Sequence, residues 1–352
     1  MERINEKILV TGATGMLGSC LVADLIREGC TVRAIYRDKN RIDQFYQNIT
    51  FWGMSPDLIS GSIEWVEADL LNIYRLEEAL EGIDTVYHCA AVVSFQPSEW
   101  SGVLKSNIEG TANLVNASLE KGVKKICHVS SIAALGKTEN GELINEETHW
   151  IPDKKHSKYS ISKLHSEMEV WRGVNEGVDA VIVNPSVILG PGDWSAGSPS
   201  FFRMIDKGLK FYTKGITGFV DVRDVSRAMR LLTDDANWGK AKNNHWLLNS
   251  TNLRYESLFK MIAASIGAAS PKYLASKGLM TFVGQFSEWY GKIFHVEAPI
   301  TKETVRNATT ISKYDGSKIT AKFGFAYHDI ESTIQEIGKM YLDSVKSASV
   351  HR

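Results

Sequence analysis

The segment Ile8-Leu9-Val10-Thr11-Gly12-Ala13-Thr14-Gly15-Met16-Leu17-Gly18 constrains this chain more than any other. A short apolar run ends in regularly spaced glycines. Leu17, Leu21 and Leu25 then recur at helical spacing up to Gly29. A strand, a glycine-rich turn and a helix, in that order, let the backbone bend sharply and approach a pyrophosphate. The first amides of the helix can then receive its charge. Alone the motif is an ordinary turn, but its flanks make Gly12, Ala13, Thr14, Gly15, Met16, Leu17 and Gly18 a candidate dinucleotide cradle.

The pattern continues as alternating strands and helices. Further strands are expected at 31–36, 63–68, 84–89, 125–129 and 180–183, with an irregular stretch at 47–62. A short helix holds Leu76, Ala79 and Leu80, and a longer one runs over 105–120 to Gly122. A third helix, 159–171, places Ile161, Leu164, Met168 and Trp171 on one face. Such alternation implies an α/β fold, a doubly wound parallel sheet with its ligand at the carboxyl ends of the strands. After Pro185 the alternation loosens, and 219–233 and 244–249 read as returns to the sheet layer. The expected division is a dinucleotide-binding domain of 1–185 with 218–250, and a smaller, mainly helical substrate lobe of 186–217 with 251–352.

Forty Lys and Arg balance 41 Asp and Glu, so no strong field recruits nucleic acid or an anionic membrane. Cys20, Cys30, Cys89 and Cys127 lie far apart without metal-ligand spacing, so neither a metal site nor a disulfide framework is expected. Residues 1–7 are polar, and the apolar patch 278–286 is shorter than the roughly 20 residues of a membrane span. The expectation is a soluble cytoplasmic protein without a transmembrane segment.

Two positions bear on the cofactor and the chemistry. An NAD site places an acidic residue about 20 residues past the glycines. Here Tyr36 and Arg37 stand in that place, with Lys39 and Arg41 behind, and a guanidinium suits a 2′-phosphate. NADP(H) is therefore expected, with NAD(H) as the alternative. Tyr159-Ser160-Ile161-Ser162-Lys163 puts a phenol and an ammonium on one helix face, and the ammonium is expected to lower the phenol pKa. A tuned phenol exchanges protons with a carbonyl or alcohol. Ser130-Ser131, ending a strand, adds a hydroxyl on the cofactor side.

With these residues the chain resembles an extended short-chain dehydrogenase/reductase of the epimerase/dehydratase superfamily, in the dihydroflavonol-reductase and 3β-hydroxysteroid-dehydrogenase branch. The likeness is carried by the glycine motif, Ala68-Asp69-Leu70, His88-Cys89-Ala90-Ala91, Asn107-Ile108-Glu109-Gly110-Thr111, Val129-Ser130-Ser131, the Tyr159/Lys163 pair, Asn184-Pro185-Ser186 and Phe219-Val220-Asp221-Val222. It implies a Rossmann-type fold and roles for particular residues. Ser131, rather than Ser130, would be the catalytic serine, counted back from Gly136. Tyr159 would be the acid/base, Lys163 would also hold the nicotinamide ribose, and Asn107 would kink its helix and support a water relay. Asp69 and Leu70 would flank the adenine, Ala90 and Ala91 the cofactor groove, and Pro185 and Ser186 the nicotinamide. Phe219 to Val222 would lie at the subdomain junction, with Asp224 meeting the orphan amides of a helix start.

The leading function is thus an NADP-dependent carbonyl reductase or alcohol dehydrogenase acting on a small molecule. The resemblance also allows a homodimer. A nucleotide-sugar epimerase or dehydratase with retained NAD is the alternative. Against it stand Tyr36-Arg37, Ile132-Ala133 after Ser131 in place of an acidic pair, and Thr217 where a diphosphate-binding arginine is common. A non-catalytic cofactor-binding regulator is the third reading, disfavoured because Ser131, Tyr159 and Lys163 are all present. Phe201, Phe202, Phe211, Tyr212, Phe282, Phe286, Trp289 and Tyr290 pack a core or line an apolar pocket.

Overall fold

The computed structural model describes residues 6–350 apart from 60, 95, 139–140, 154–155, 277 and 279–300, which hold Phe282, Phe286, Trp289 and Tyr290. Its first half runs β1 (Ile8–Thr11), α1 (Met16–Arg27), β2 (Val32–Tyr36), α2 (Asn40–Thr50), α3 (Pro56–Ile59), β3 (Ile63–Glu67), α4 (Ile73–Ala79), β4 (Thr85–His88), α5 (Trp100–Leu104), α6 (Gly110–Glu120), β5 (Lys125–Val129), β6 (Leu143–Ile144), α7 (Lys158–Glu176) and β7 (Asp179–Pro185). β8 (Val187–Leu189), α8 (Ser200–Asp206), β9 (Phe211–Tyr212), β10 (Ile216–Asp221), α9 (Val222–Thr233), α10 (Asp235–Ala241), β11 (Asn244–Leu248), β12 (Thr251–Arg254) and α11 (Tyr255–Ile266) follow.

Seven strands form one sheet in the order β11-β7-β5-β4-β1-β2-β3, all pairs parallel. The order reverses between β1 and β4, and an open sheet binds its ligand at such a reversal. One face is packed by a core including Leu21, Leu25, Phe45, Val225 and Met229, drawn from α1, α2 and α9. The other includes Leu76, Leu114, Val115 and Val170 from α4, α6 and α7. This is the doubly wound α/β sheet expected from the alternation.

The chain departs from the expected elements in three places. A helix occupies 40–50, and the irregular stretch begins only at Phe51. Its polar sequence hides Phe45 and Ile49, which are buried. The segment 219–233 splits: α9 lies against α1, but Phe219 to Asp221 belong to a second sheet, β12-β10-β8. That sheet backs the lobe, whose core joins Phe202, Phe219, Leu258, Ile262 and Ile334. β11 returns to the main sheet beside β7. Finally, α7 buries Ser162, Lys163, Ser166 and Glu167, while Met168 of its apolar stripe is exposed.

Asp224 is buried in the first turn of α9, but it does not cap that helix. Asp221 does, accepting from the Arg223 amide at 2.7 Å. Asp224 instead receives the His328 amide at 2.8 Å and its Nδ1 at 2.7 Å, tying the C-terminal segment to the sheet layer. Among the described residues no helix is long and apolar enough to cross a membrane, and no group of three or more His, Cys, Asp or Glu could hold a metal.

Candidate active site

The glycine turn is built by close backbone approach. Gly12 has φ +67°, the left-handed region, and a β-carbon there would lie 2.6 Å from the Ala90 nitrogen. Thr11 Oγ1 accepts from the Ala90 amide at 3.1 Å and bonds His88 Nδ1 at 2.8 Å, fastening the end of β4 to the end of β1. Gly15 precedes α1 as its N-cap without a side-chain cap, so the first amides of the helix are left for a ligand. Gly18 fits under Gly12, where any β-carbon would overlap backbone. Ala13 and Leu17 point into the core, so their share in the cradle is backbone only. Met16 packs under Gly190 and Gly192 of the lobe. Thr14 is held through its carbonyl by Asn48 Nδ2 at 3.3 Å, a contact from α2 that the sequence motif does not show.

At the end of β2 the Tyr36 ring meets Trp65 edge-on at 6.2 Å, and Arg37, Lys39 and Arg41 are exposed. Asp38 stands among them, but its Oδ1 accepts from the Asn40 amide at 3.0 Å at the start of α2. Asp69 Oδ1 likewise accepts from the Leu71 amide at 2.9 Å, so it shapes its own turn. Leu70 sits against Gly110, where a β-carbon would come within 3.0 Å of it, and its carbonyl takes Asn113 Nδ2 at 2.9 Å. Ala91 is exposed just beyond Ala90. Pro185 ends β7, and the buried Ser186 hydroxyl finds no hydrogen-bond partner among the described residues.

The two serines that end β5 face different ways. Ser130 Oγ donates to Glu167 Oε2 at 2.8 Å in the interior. Ser131 is half-buried; its Oγ accepts from the Ala133 amide at 3.1 Å and is hydrogen-bonded to the Tyr159 hydroxyl. Burial raises the Tyr159 pKa and the Ser131 bond opposes it, so the phenol stays protonated. The expected lowering by Lys163 is not what this geometry gives. Lys163 Nζ donates to the Val129 carbonyl at 2.9 Å, and burial brings its own pKa down to about 8.

Behind them, Asn107 lies in a π-helical turn, Lys105–Glu109, between α5 and α6. Such turns interrupt helices at functional sites. Its amide accepts from Val92 N at 2.8 Å, and donates to Val92 O at 3.0 Å and Ser162 Oγ at 3.1 Å. Asn107 therefore braces α7 and the loop after β4 rather than reaching Lys163 directly. His88 also bonds Thr111 Oγ1 at 3.0 Å, and desolvation lowers its pKa to about 3. His128 lies beside it, ring centroids 5.0 Å apart, and is held neutral by the same burial. Thr11 and His88 stand in the sequence motifs without their contacts being visible there, and Asn48 and Glu167, which also support the site, carry no spacing signal. Only the fold shows which distant strand or helix each one meets.

A model of the NAD dependent epimerase/dehydratase family matches residues 8–246. The chain belongs to that family. Its chemistry is NAD(P)-dependent oxidoreduction at carbonyl or alcohol groups. A protein of Synechocystis named for dihydroflavonol 4-reductase is 27% identical over 342 residues, covering 96% of this chain and 91% of the relative. Cinnamoyl-CoA reductase 1 of Petunia hybrida is 31% identical over 239 residues, covering 64% and 68% of the two chains. The structure of gox2253 superposes with a TM-score of 0.77 at 26% identity, covering 97% of this chain and 99% of that one. MoeE5, solved with UDP-glucose and NAD, gives a TM-score of 0.71 at 19% identity, with 96% and 99% coverage, and shows the epimerase/dehydratase fold alone.

Proposed function

We propose that this family member is an NADP-dependent carbonyl reductase or alcohol dehydrogenase whose reacting groups are Ser131, Tyr159 and Lys163. The observation that carries the reading is the hydrogen bond between the Ser131 and Tyr159 hydroxyls, at the carboxyl end of β5, with Lys163 one turn further along α7. A dinucleotide fits the residues present. Gly12 and Gly18 keep clear a turn that a β-carbon would fill, and among the described residues the first amides of α1 lack a side-chain cap and the buried Ser186 hydroxyl has no hydrogen-bond partner. Gly12 to Gly18 would take the pyrophosphate, Arg37 the 2′-phosphate, and Lys163, Pro185 and Ser186 the nicotinamide half.

When bound, the nicotinamide supplies or accepts the hydride. In reduction, Tyr159 gives its proton to the carbonyl oxygen as the carbon gains the hydride, so C=O becomes CH–OH. Ser131 donates to the same oxygen and steadies the developing charge. Lys163 would hold the nicotinamide ribose, and the sequence runs backwards in oxidation.

Sugar-nucleotide chemistry is less well supported. Thr217 sits inside β10 opposite Leu253, so this position itself offers a diphosphate no guanidinium, and Ile132-Ala133 puts no acid directly after Ser131. The names of the two relatives favour an aromatic carbonyl compound as substrate. The lobe aromatics Phe201 and Phe202 pack on Phe259 and Tyr341, so they build the lobe core. The test follows nicotinamide absorbance with cinnamoyl-CoA, a dihydroflavonol, benzaldehyde and UDP-glucose, using each cofactor. Consumption of NADPH with a carbonyl compound supports the reading. Conversion of UDP-glucose without net cofactor turnover contradicts it.

A further inference from the structure

We propose that Glu167 is a positioning residue of this active site, its carboxylate fixing the Ser130-Ser131 segment and so the hydroxyl that meets Tyr159. The inference rests on the catalytic reading of Ser131 and Tyr159 given above. α7 is unusual in turning a polar stripe inward, and Glu167 lies on it, only 6% exposed. Its Oε2 accepts from Ser130 Oγ at 2.8 Å and from Asn184 Nδ2 at 2.9 Å. The same Asn184 nitrogen donates to the Ser131 carbonyl at 3.2 Å. One carboxylate oxygen thus ties down the side chain of Ser130 and, through Asn184, the backbone of Ser131. Its other oxygen faces His245 Nδ1 of β11 at 3.4 Å.

A buried carboxylate is costly, and apolar packing of similar volume is often as stable. Burial pushes the Glu167 pKa up, but His245, Asn184 and Ser130 outweigh it and hold the carboxyl below the usual carboxylate range, so the group stays ionised through the same contacts that fix the serine segment. The segment after β5 has to keep Ser130 inward and present the next serine, Ser131, to Tyr159. Glu167 also lies one helical turn from Lys163. Burial lowers the Lys163 pKa, and the Glu167 charge raises it in return, favouring the ammonium. The titratable groups facing Glu167 are Lys163 on its own helix and His245 on β11; β5 and β7 present Ser130 and Asn184.

Glu167→Gln keeps the shape and removes the charge. Small misplacements of reacting groups cost up to about a hundredfold, so turnover should fall about tenfold, with KM for NADPH and cinnamoyl-CoA within about twofold. The alkaline limb of kcat should move down by about one pH unit as Lys163 loses its counter-charge. Hydrogen exchange in the peptide spanning 129–135 should quicken while exchange in α1 stays unchanged. Wild-type turnover with an unmoved limb, or unaltered exchange at 129–135, overturns the inference. Should Glu167→Gln not fold, Ser130→Ala removes one partner without adding bulk. Faster exchange at 129–135 and turnover reduced about threefold are then expected, and no change in exchange overturns the inference. Tyr159→Phe run alongside separates the two failures. Full activity there removes the catalytic reading, whereas exchange at 129–135 judges Glu167 whatever the substrate.

Discussion

The α-carbon of Gly18 lies against the carbonyl of Gly12 so closely that a β-carbon on Gly18 would overlap it. The first turn of α1 is thereby locked to the turn that precedes it. Gly18→Ala should force the two apart, costing about 1–3 kcal/mol of stability and weakening NADPH binding at least about tenfold. Denaturant midpoints and a fluorescence titration measure both. An alanine variant that binds NADPH like the parent would show that the turn is not the cradle.

Arg37 is exposed at the end of β2, and Asp38 beside it is engaged with the Asn40 amide. NADPH should bind at least about tenfold more tightly than NADH, a difference of about 1.4 kcal/mol. Arg37→Ala should weaken NADPH much more than NADH. Equal affinities in the parent protein would instead point to NAD.

His88 and His128 are buried and neutral in the fold, and the His88 pKa is lowered to about 3. The unfolded chain binds protons at these residues below about 6.5, so folding stability falls as pH drops from there toward about 3. Neither ring nitrogen of His128 has a hydrogen-bond partner among the described residues. His128→Phe should therefore be tolerated, and its stability relative to the parent should rise as the pH is lowered from 7 to 5. Urea midpoints at the two pH values give the sign, and a constant difference would mean that His128 does not carry the acid sensitivity.

Lys163 works in the opposite pH range. Its folded pKa is about 8, below the usual lysine value of about 10.4. Between the two the unfolded chain holds the extra proton, so stability from this group rises with pH through that window. Lys163→Met should abolish the rise, and below pH 8 it should be at least as stable as the parent while losing turnover. If urea midpoints of the parent and variant run parallel from pH 7 to 10, the lysine is not held in the desolvated state described.

Much of this was legible in residue order. β1, its glycines and α1 announce themselves because an apolar run, a turn and a helical repeat adjoin within Ile8 to Arg27. Tyr159 and Lys163 are proposed from their spacing, and Ser131 from the resemblance. What periodicity cannot show is which way a helix turns when its polar side is the buried one. In α7 Met168 is exposed and Trp171 only partly buried against the core, because Ser162, Lys163, Ser166 and Glu167 take the inward positions and have partners there. Nor does an apolar run such as Phe219-Val220 state which sheet it joins; its neighbours are Thr251 and Val187 rather than β7. Glu167 meets Ser130 across 37 residues and Asn184 across 17, separations that carry no local signal.

The central claim is that the Tyr159 hydroxyl moves the proton. Tyr159→Phe keeps the ring and its packing, so folding and NADPH affinity should match the parent. Proton transfer by a positioned group is worth about 10²–10⁴-fold, and kcat should fall by that order. Ser131→Ala should lower turnover with little change in cofactor affinity, since its hydroxyl bonds Tyr159 and, in the proposed mechanism, would meet the substrate oxygen. The decisive measurement is kcat of Tyr159→Phe with NADPH and the best carbonyl substrate, alongside its NADPH titration. A loss of about a hundredfold or more with intact cofactor binding is the predicted result. Near-parental turnover would contradict the account and place the acid elsewhere.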